Sequence, residues 1–171
     1  MAAKTSIKFH LEPNWDELEK IRKKSMLFLR SHGLSDDSIH TLSMIVSELV
    51  ENGIKYGDFK KKGASVVVVI RLAAGKITVE VLNPIAESAD AHLSKLDQTI
   101  RWIRGFQDPL EAYVERITEV SKKPLHDTES CIGLARIASE GNATLDFLLT
   151  ENSMVRVSAV SHLDGECPML S

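Results

Sequence analysis

The chain has 171 residues, 43% of them hydrophobic and 26% charged, with a net charge of −3, which suits one domain over residues 1–171 with a substantial core. That mild acidity argues against nucleic acid or an acidic membrane as partner, and the basic run Lys60–Lys62 reads as a solvated turn. Cys131 and Cys167 make neither a disulfide framework nor a zinc site, and nothing resembles a membrane span or a signal peptide, so a soluble cytoplasmic protein is expected.

Ser6–Glu12, "SIKFHLE", alternates apolar and polar residues and predicts a strand. A helix follows from Pro13 and Asn14, with Leu18, Ile21, Met26 and Leu29 at helical period and a stop at Gly33. Ser35, Asp36 and Asp37 cap a second helix that carries Ile39, Leu42, Ile45, Val46, Leu49 and Val50 and ends near Tyr56 and Gly57. "ASVVVVIRL" and "KITVEVL" are β-branched runs joined by "AAG", a hairpin signal.

The middle, about residues 86–125, predicts two helices and no strand: "AHLSKLDQTIRWIRG", and "DPLEAYVERITEVSKK" with Asp108 and Pro109 as cap and first turn. "TESCIGLARIASEGN" is a further capped helix ending at Gly141 and Asn142. A second hairpin, "ATLDFLL" and "MVRVSAV", turns on "TENS", and the tail from His162 reads as irregular. The order β-α-α-β-β, helical insertion, α-β-β predicts an α+β fold: a mostly antiparallel sheet with helices on one face.

Two segments carry polar residues where core is expected. At 100° per residue, Asn52 falls about 40° and Tyr56 about 80° from Glu48, while the apolar residues of that helix occupy roughly 60° to 240°. Glu48 therefore stands at the border of the buried arc and Asn52 at its edge. Burying an amide without partners costs about 1–3 kcal/mol, so Asn52 either bonds to backbone or water, or faces a ligand. As a ligand-facing pair, a carboxylate orients a hydroxyl and an amide oxygen helps hold Mg²⁺ against phosphates. In "SCIGLARIA", Gly133 at a helix start either lets backbone N–H groups approach an anion or permits close packing of the helix on the sheet. Cys131 sits where a thiolate is favoured but reads as a small buried residue. The six histidines make no metal-ligand spacing, and there is no serine elbow or P-loop.

"VSELVENGIKYG" resembles the N-box of the GHKL ATPase superfamily, in particular the anti-sigma-factor serine kinases, and "CIGLARIASEGNATLDF" resembles that family's later glycine box with its helix and strand. The resemblance spans nearly the whole chain and implies the histidine-kinase-type ATPase fold, a two-layer sandwich with a two-helix insertion. It implies Glu48 as general base, Asn52 as Mg²⁺ ligand, and Tyr56, Asn83, Cys131, Ile132, Gly133 and Leu134 as residues of the ATP site. The sequence departs from the family at "VLNPIAES": Asn83 replaces the aspartate that reads adenine, both glycines of that box are missing, and Pro84 stiffens the loop. Cys131 stands for the first glycine of the later box, and two amphipathic helices over residues 89–122 stand for the flexible lid.

The resemblance implies a regulatory, anti-sigma-factor-like protein whose partner is an anti-sigma-antagonist-like or sigma-factor-like protein, and it suggests a homodimer. Two readings stand side by side. One is a serine/threonine protein kinase using ATP and Mg²⁺. The other is a nucleotide-free binding module whose insertion helices form the interface or fill the pocket. Trp102 and Phe106 are candidates for such a contact, against the plainer expectation that they pack on their own domain.

Overall fold

The computed structural model describes residues 5–123 and 132–163. Five strands form one antiparallel sheet in the order β1-β2-β3-β5-β4: β1 (Thr5–Leu11), β2 (Val66–Ala73), β3 (Lys76–Pro84), β4 (Ala143–Leu149) and β5 (Met154–His162). Five helices pack against it: α1 (Trp15–Ser31), α2 (Asp36–Tyr56), α3 (Asp90–Arg104), α4 (Pro109–Ser121) and α5 (Ile132–Glu140). The expected α+β architecture and element order are therefore observed. The cap and first residues expected for the last helix, through Cys131, and the tail beyond Leu163 lie outside the described residues.

Local chemistry explains the boundaries. The Asn14 side chain accepts from the Glu17 N–H at 3.0 Å, Ser35 Oγ from Ser38 N–H at 3.2 Å, and Asp108 from Leu110 N–H at 2.9 Å, each satisfying a donor that the first helical turn leaves open. The β2–β3 hairpin turns through Ala74 and Gly75, both left-handed at φ 51° and 70°, the pair of signs that matches strand twist. At the end of α5 the left-handed residue is Asn142 (φ 43°), with Gly141 buried just before it.

Strand period decides what faces the helices. Val66, Val68, Ile70 and Leu72 of β2 pair alongside Val79, Val81 and Ile77 of β3, and these in turn alongside Val157 and Ala159 of β5. Leu42, Ile45, Val46, Leu49 and Val50 of α2 join that face in one contiguous core, to which α1 adds Ile21 and Leu29 and α3 adds Leu96, Ile100 and Ile103. Ser25, in the buried seam of α1, has a hydroxyl with no hydrogen-bond partner among the described residues. On the opposite face of the sheet, Glu80 lies buried between Arg71 and Arg156. No helix among the described residues is long and apolar enough to cross a membrane.

Candidate functional site

The site grows from α2. Glu48, Asn52 and Tyr56 succeed one another by a helical turn, and all three are half-buried, as their place on the border of the apolar arc requires. One step past Asn52, Gly53 is buried against Val81, Val66 and Asn83, and a Cβ there would stand 3.1 Å from the Val81 methyl. The missing side chain lets α2 come close to β3. Asn83, the last residue on the helix-facing side of β3, is thereby brought under α2 and is 3% exposed.

Asn83 Nδ2 donates to the Pro84 carbonyl at 3.2 Å. Because a carbonyl can only accept, this bond assigns the amide: Oδ1 is turned toward Gly53, in the cavity wall, as an acceptor. The Asn83 amide thus offers an acceptor without the charge of a carboxylate.

Ile132, Gly133 and Leu134 at the start of α5 close the other side. Together with Glu48, Asn52, Tyr56 and Asn83 they line one cavity of about 180 Å³, with Leu49, Val81, Val155 and Val157 among its apolar walls. Every sequence-derived site residue within the described chain is in this set; Cys131 falls outside it for want of description. Three segments far apart in sequence meet here.

Several neighbours had no signal in the sequence. The Glu48 carboxylate accepts from Arg136 Nη1 at 3.1 Å, while Arg136 Nε donates to Glu140 at 2.9 Å. The Glu140 hydrogen bond first, and the Glu48 bond after it, hold the guanidinium above its ordinary pKa against the effect of burial. An alanine Cβ at Gly133 would overlap a Glu48 carboxylate oxygen, so this glycine admits the carboxylate against the helix start. Burial first, and the Glu48 charge second, push the Glu51 carboxyl above the usual glutamate range, with Arg136 opposing. Glu48 and Glu51 also border a second, shallower groove of about 620 Å³ between α1, α2 and α5.

Helix α3 borders the cavity from the side. His92 of α3 stacks on Tyr56 with ring centroids 4.2 Å apart and planes inclined by 19°, and Lys95 and Leu96 join the lining. Trp102 is half-buried against the core with the Arg116 guanidinium 4.5 Å from its ring centre, and Phe106 meets it edge-on at 4.9 Å.

The fit to a nucleotide is therefore divided. Asn83 offers an acceptor to a base amino group, and Asn52 an amide oxygen on the same wall. A cavity of about 180 Å³, however, is below the roughly 300–1,000 Å³ typical of pockets for larger ligands. Helix α3 contributes His92, Lys95 and Leu96 to this limited space. Among the described residues no three of His, Cys, Asp or Glu are placed to hold a metal ion.

No protein-family model and no curated protein matches the sequence. Among solved structures, a chain of the SiaB–SiaC complex from Pseudomonas aeruginosa is similar to this one with a TM-score of 0.70 at 17% identity, over 90% of this chain and 88% of that one. At that identity the likeness is one of fold, and it extends over nearly the whole molecule.

Proposed function

We propose that this protein is a regulatory, GHKL-like protein of the partner-switching kind, acting by docking another protein and carrying a nucleotide-type pocket that adjusts the docking. The observation that carries this reading is the convergence of Glu48, Asn52, Asn83 and Gly133, from three distant segments, on one cavity. The SiaB–SiaC chain, taken from a complex of two proteins, supports a protein as the partner. Location in the cytoplasm and a homodimeric state belong to the same proposal.

A second reading, protein serine/threonine phosphorylation, is favoured by the orientation of Asn83 and by Glu48 and Asn52 standing one turn apart in the same wall. Bound Mg-ATP would supply the phosphoryl group and the charge neutralisation for its transfer. In that reading Asn52 would help hold the metal, Asn83 would accept from the base, and Glu48 would take the proton of the acceptor hydroxyl. Glu48 would first have to leave the Arg136 guanidinium.

The test is the melting temperature with and without millimolar Mg-ATP, beside Asn52→Ala. Ligand at about 100 times its dissociation constant adds about 2.7 kcal/mol, roughly 5–10 °C at this chain length. A magnesium-dependent rise that disappears in Asn52→Ala is the expected result for a nucleotide pocket. An unchanged melting temperature in both folded proteins would remove the nucleotide and the kinase reading together, leaving the binding module.

A further inference from the structure

Helix α4 is amphipathic twice over. The side it turns to its own domain is thin: of the residues Pro109–Ser121 only Ala112 is fully buried, with Tyr113 packed against the core. Its other side carries Leu110, Val114 and Ile117, which remain 52%, 54% and 41% exposed. Spaced four and three apart, these three fall within an arc of about 60° and make a continuous stripe roughly 10 Å long. Single exposed aliphatics are ordinary, but a row at i, i+4 and i+7 on one helix is the pattern that faces another helix.

The edge of the stripe adds the chemistry. Glu111 lies beside it and Glu115 farther round the same side, with Glu119 beyond; within Pro109–Ser121 that side carries no basic residue, and the exposed Lys122 and Lys123 follow only after the helix ends. Arg116, the one cation of this stretch, is turned inward onto the Trp102 ring and toward Glu119 at 3.3 Å. An anionic lipid surface is repelled by such an edge. A second copy, itself of net charge −3 and bearing the same acids, gains no complementary charge from it.

We propose that this face of α4 is a docking surface for an amphipathic helix of a protein partner whose apolar stripe is edged by lysine or arginine. The proposal rests on the partner-binding reading above and names its surface and the partner's chemistry. Leu110, Val114 and Ile117 supply the apolar contact, while Glu111 and Glu115 set orientation and discriminate against acidic helices.

Two synthetic helical peptides test it, with the same leucine stripe, one edged by lysine and the other by glutamate, titrated into the ¹⁵N-labelled full chain. The expected result is saturable shifts centred on α4 with the lysine-edged peptide and none with its acidic counterpart. Val114→Glu should weaken binding about tenfold or more, as loss of a central apolar anchor does. Glu111→Lys with Glu115→Lys should reverse the preference between the two peptides. All the substituted side chains are on the surface, and unchanged spectra elsewhere would verify the fold. Equal binding of both peptides, shifts centred away from α4, or indifference to Val114→Glu would overturn the proposal. An Asn52-dependent response to Mg-ATP is read independently, so loss of this face would leave the pocket reading intact, and the reverse.

Discussion

The contact between Gly133 and Glu48 gives a prediction whose sign depends on the background. Gly133 lies in the first turn of α5 with no positive φ, so alanine suits the backbone there. Helix preference alone would favour Gly133→Ala by about 0.5–1 kcal/mol. The three atoms nearest an added Cβ all belong to Glu48, its carboxylate oxygen inside contact distance and its Cδ at 3.2 Å. The carboxylate must swing away, losing its half-exposed pair with Arg136, worth about 0.2–1 kcal/mol, and straining its rotamer by roughly 0.5–1.5 kcal/mol. The net expectation is a loss of about 1 kcal/mol, or 2–4 °C in Tm. Remove the carboxylate first and the obstacle is gone: in Glu48→Ala, the same glycine-to-alanine change should stabilise by about 0.5–1 kcal/mol. Urea unfolding of the four proteins, compared at equal m-values, measures the coupling. If alanine at 133 destabilised equally in both backgrounds, the glycine would answer to something other than Glu48 and the packing account would be wrong.

Ser25→Ala should raise stability by about 0.5–1 kcal/mol in the same assay, because the hydroxyl it removes is buried without a partner. Ala74→Asn, at a left-handed turn position that asparagine tolerates better, should raise Tm by a few degrees, roughly 0.5–1 kcal/mol. Glu51 binds its proton more readily folded than unfolded, so its stabilising effect is present below the ordinary glutamate pKa and is lost as pH rises through the raised folded value. Glu51→Gln should therefore gain in Tm relative to the parent near neutral pH and lose that gain in mild acid; a pH-independent difference would contradict the raised carboxyl. On the open sheet face, neutralising both Arg71 and Arg156 as methionine leaves Glu80 buried and uncompensated. That pair of changes should cost more, by about 1–3 kcal/mol, than Glu80→Leu, which removes the buried charge itself.

Most of the fold was legible because burial leaves a periodic trace. Alternation marked β1, the "AAG" turn marked β2 and β3, and side-chain caps at Asn14, Ser35 and Asp108 marked three helix starts, all where the structure has them. The wheel placed Glu48 and Asn52 at the edge of the buried arc, and both are half-buried. Side-chain partners across long separations were not legible. Arg136 stands 88 residues from Glu48, and nothing in "GLARIAS" announces that its guanidinium will turn back to α2. The stack of His92 on Tyr56 is equally unmarked, since each residue fits its own helix without the other. For Gly133 the sequence offered an anion cradle or close packing on the sheet, whereas the space that a side chain would take is occupied by the Glu48 carboxylate of the neighbouring helix α2. The acceptor role of Asn83 likewise depended on which neighbour its NH₂ would find, a matter of tertiary geometry at Pro84.

The Glu48–Gly133 contact also constrains how this protein can diverge. A side chain at 133 and a carboxylate at 48 compete for one volume, so the two positions form a single heritable unit rather than two independent ones. Drift that shortens residue 48 releases residue 133 to any good helix former, whereas drift at 133 alone meets a penalty. If the glycine were kept for phosphate instead, it would persist whatever stood at 48. The joint pattern of these two positions across diverged copies therefore reports which demand, packing or phosphate, has governed the start of α5.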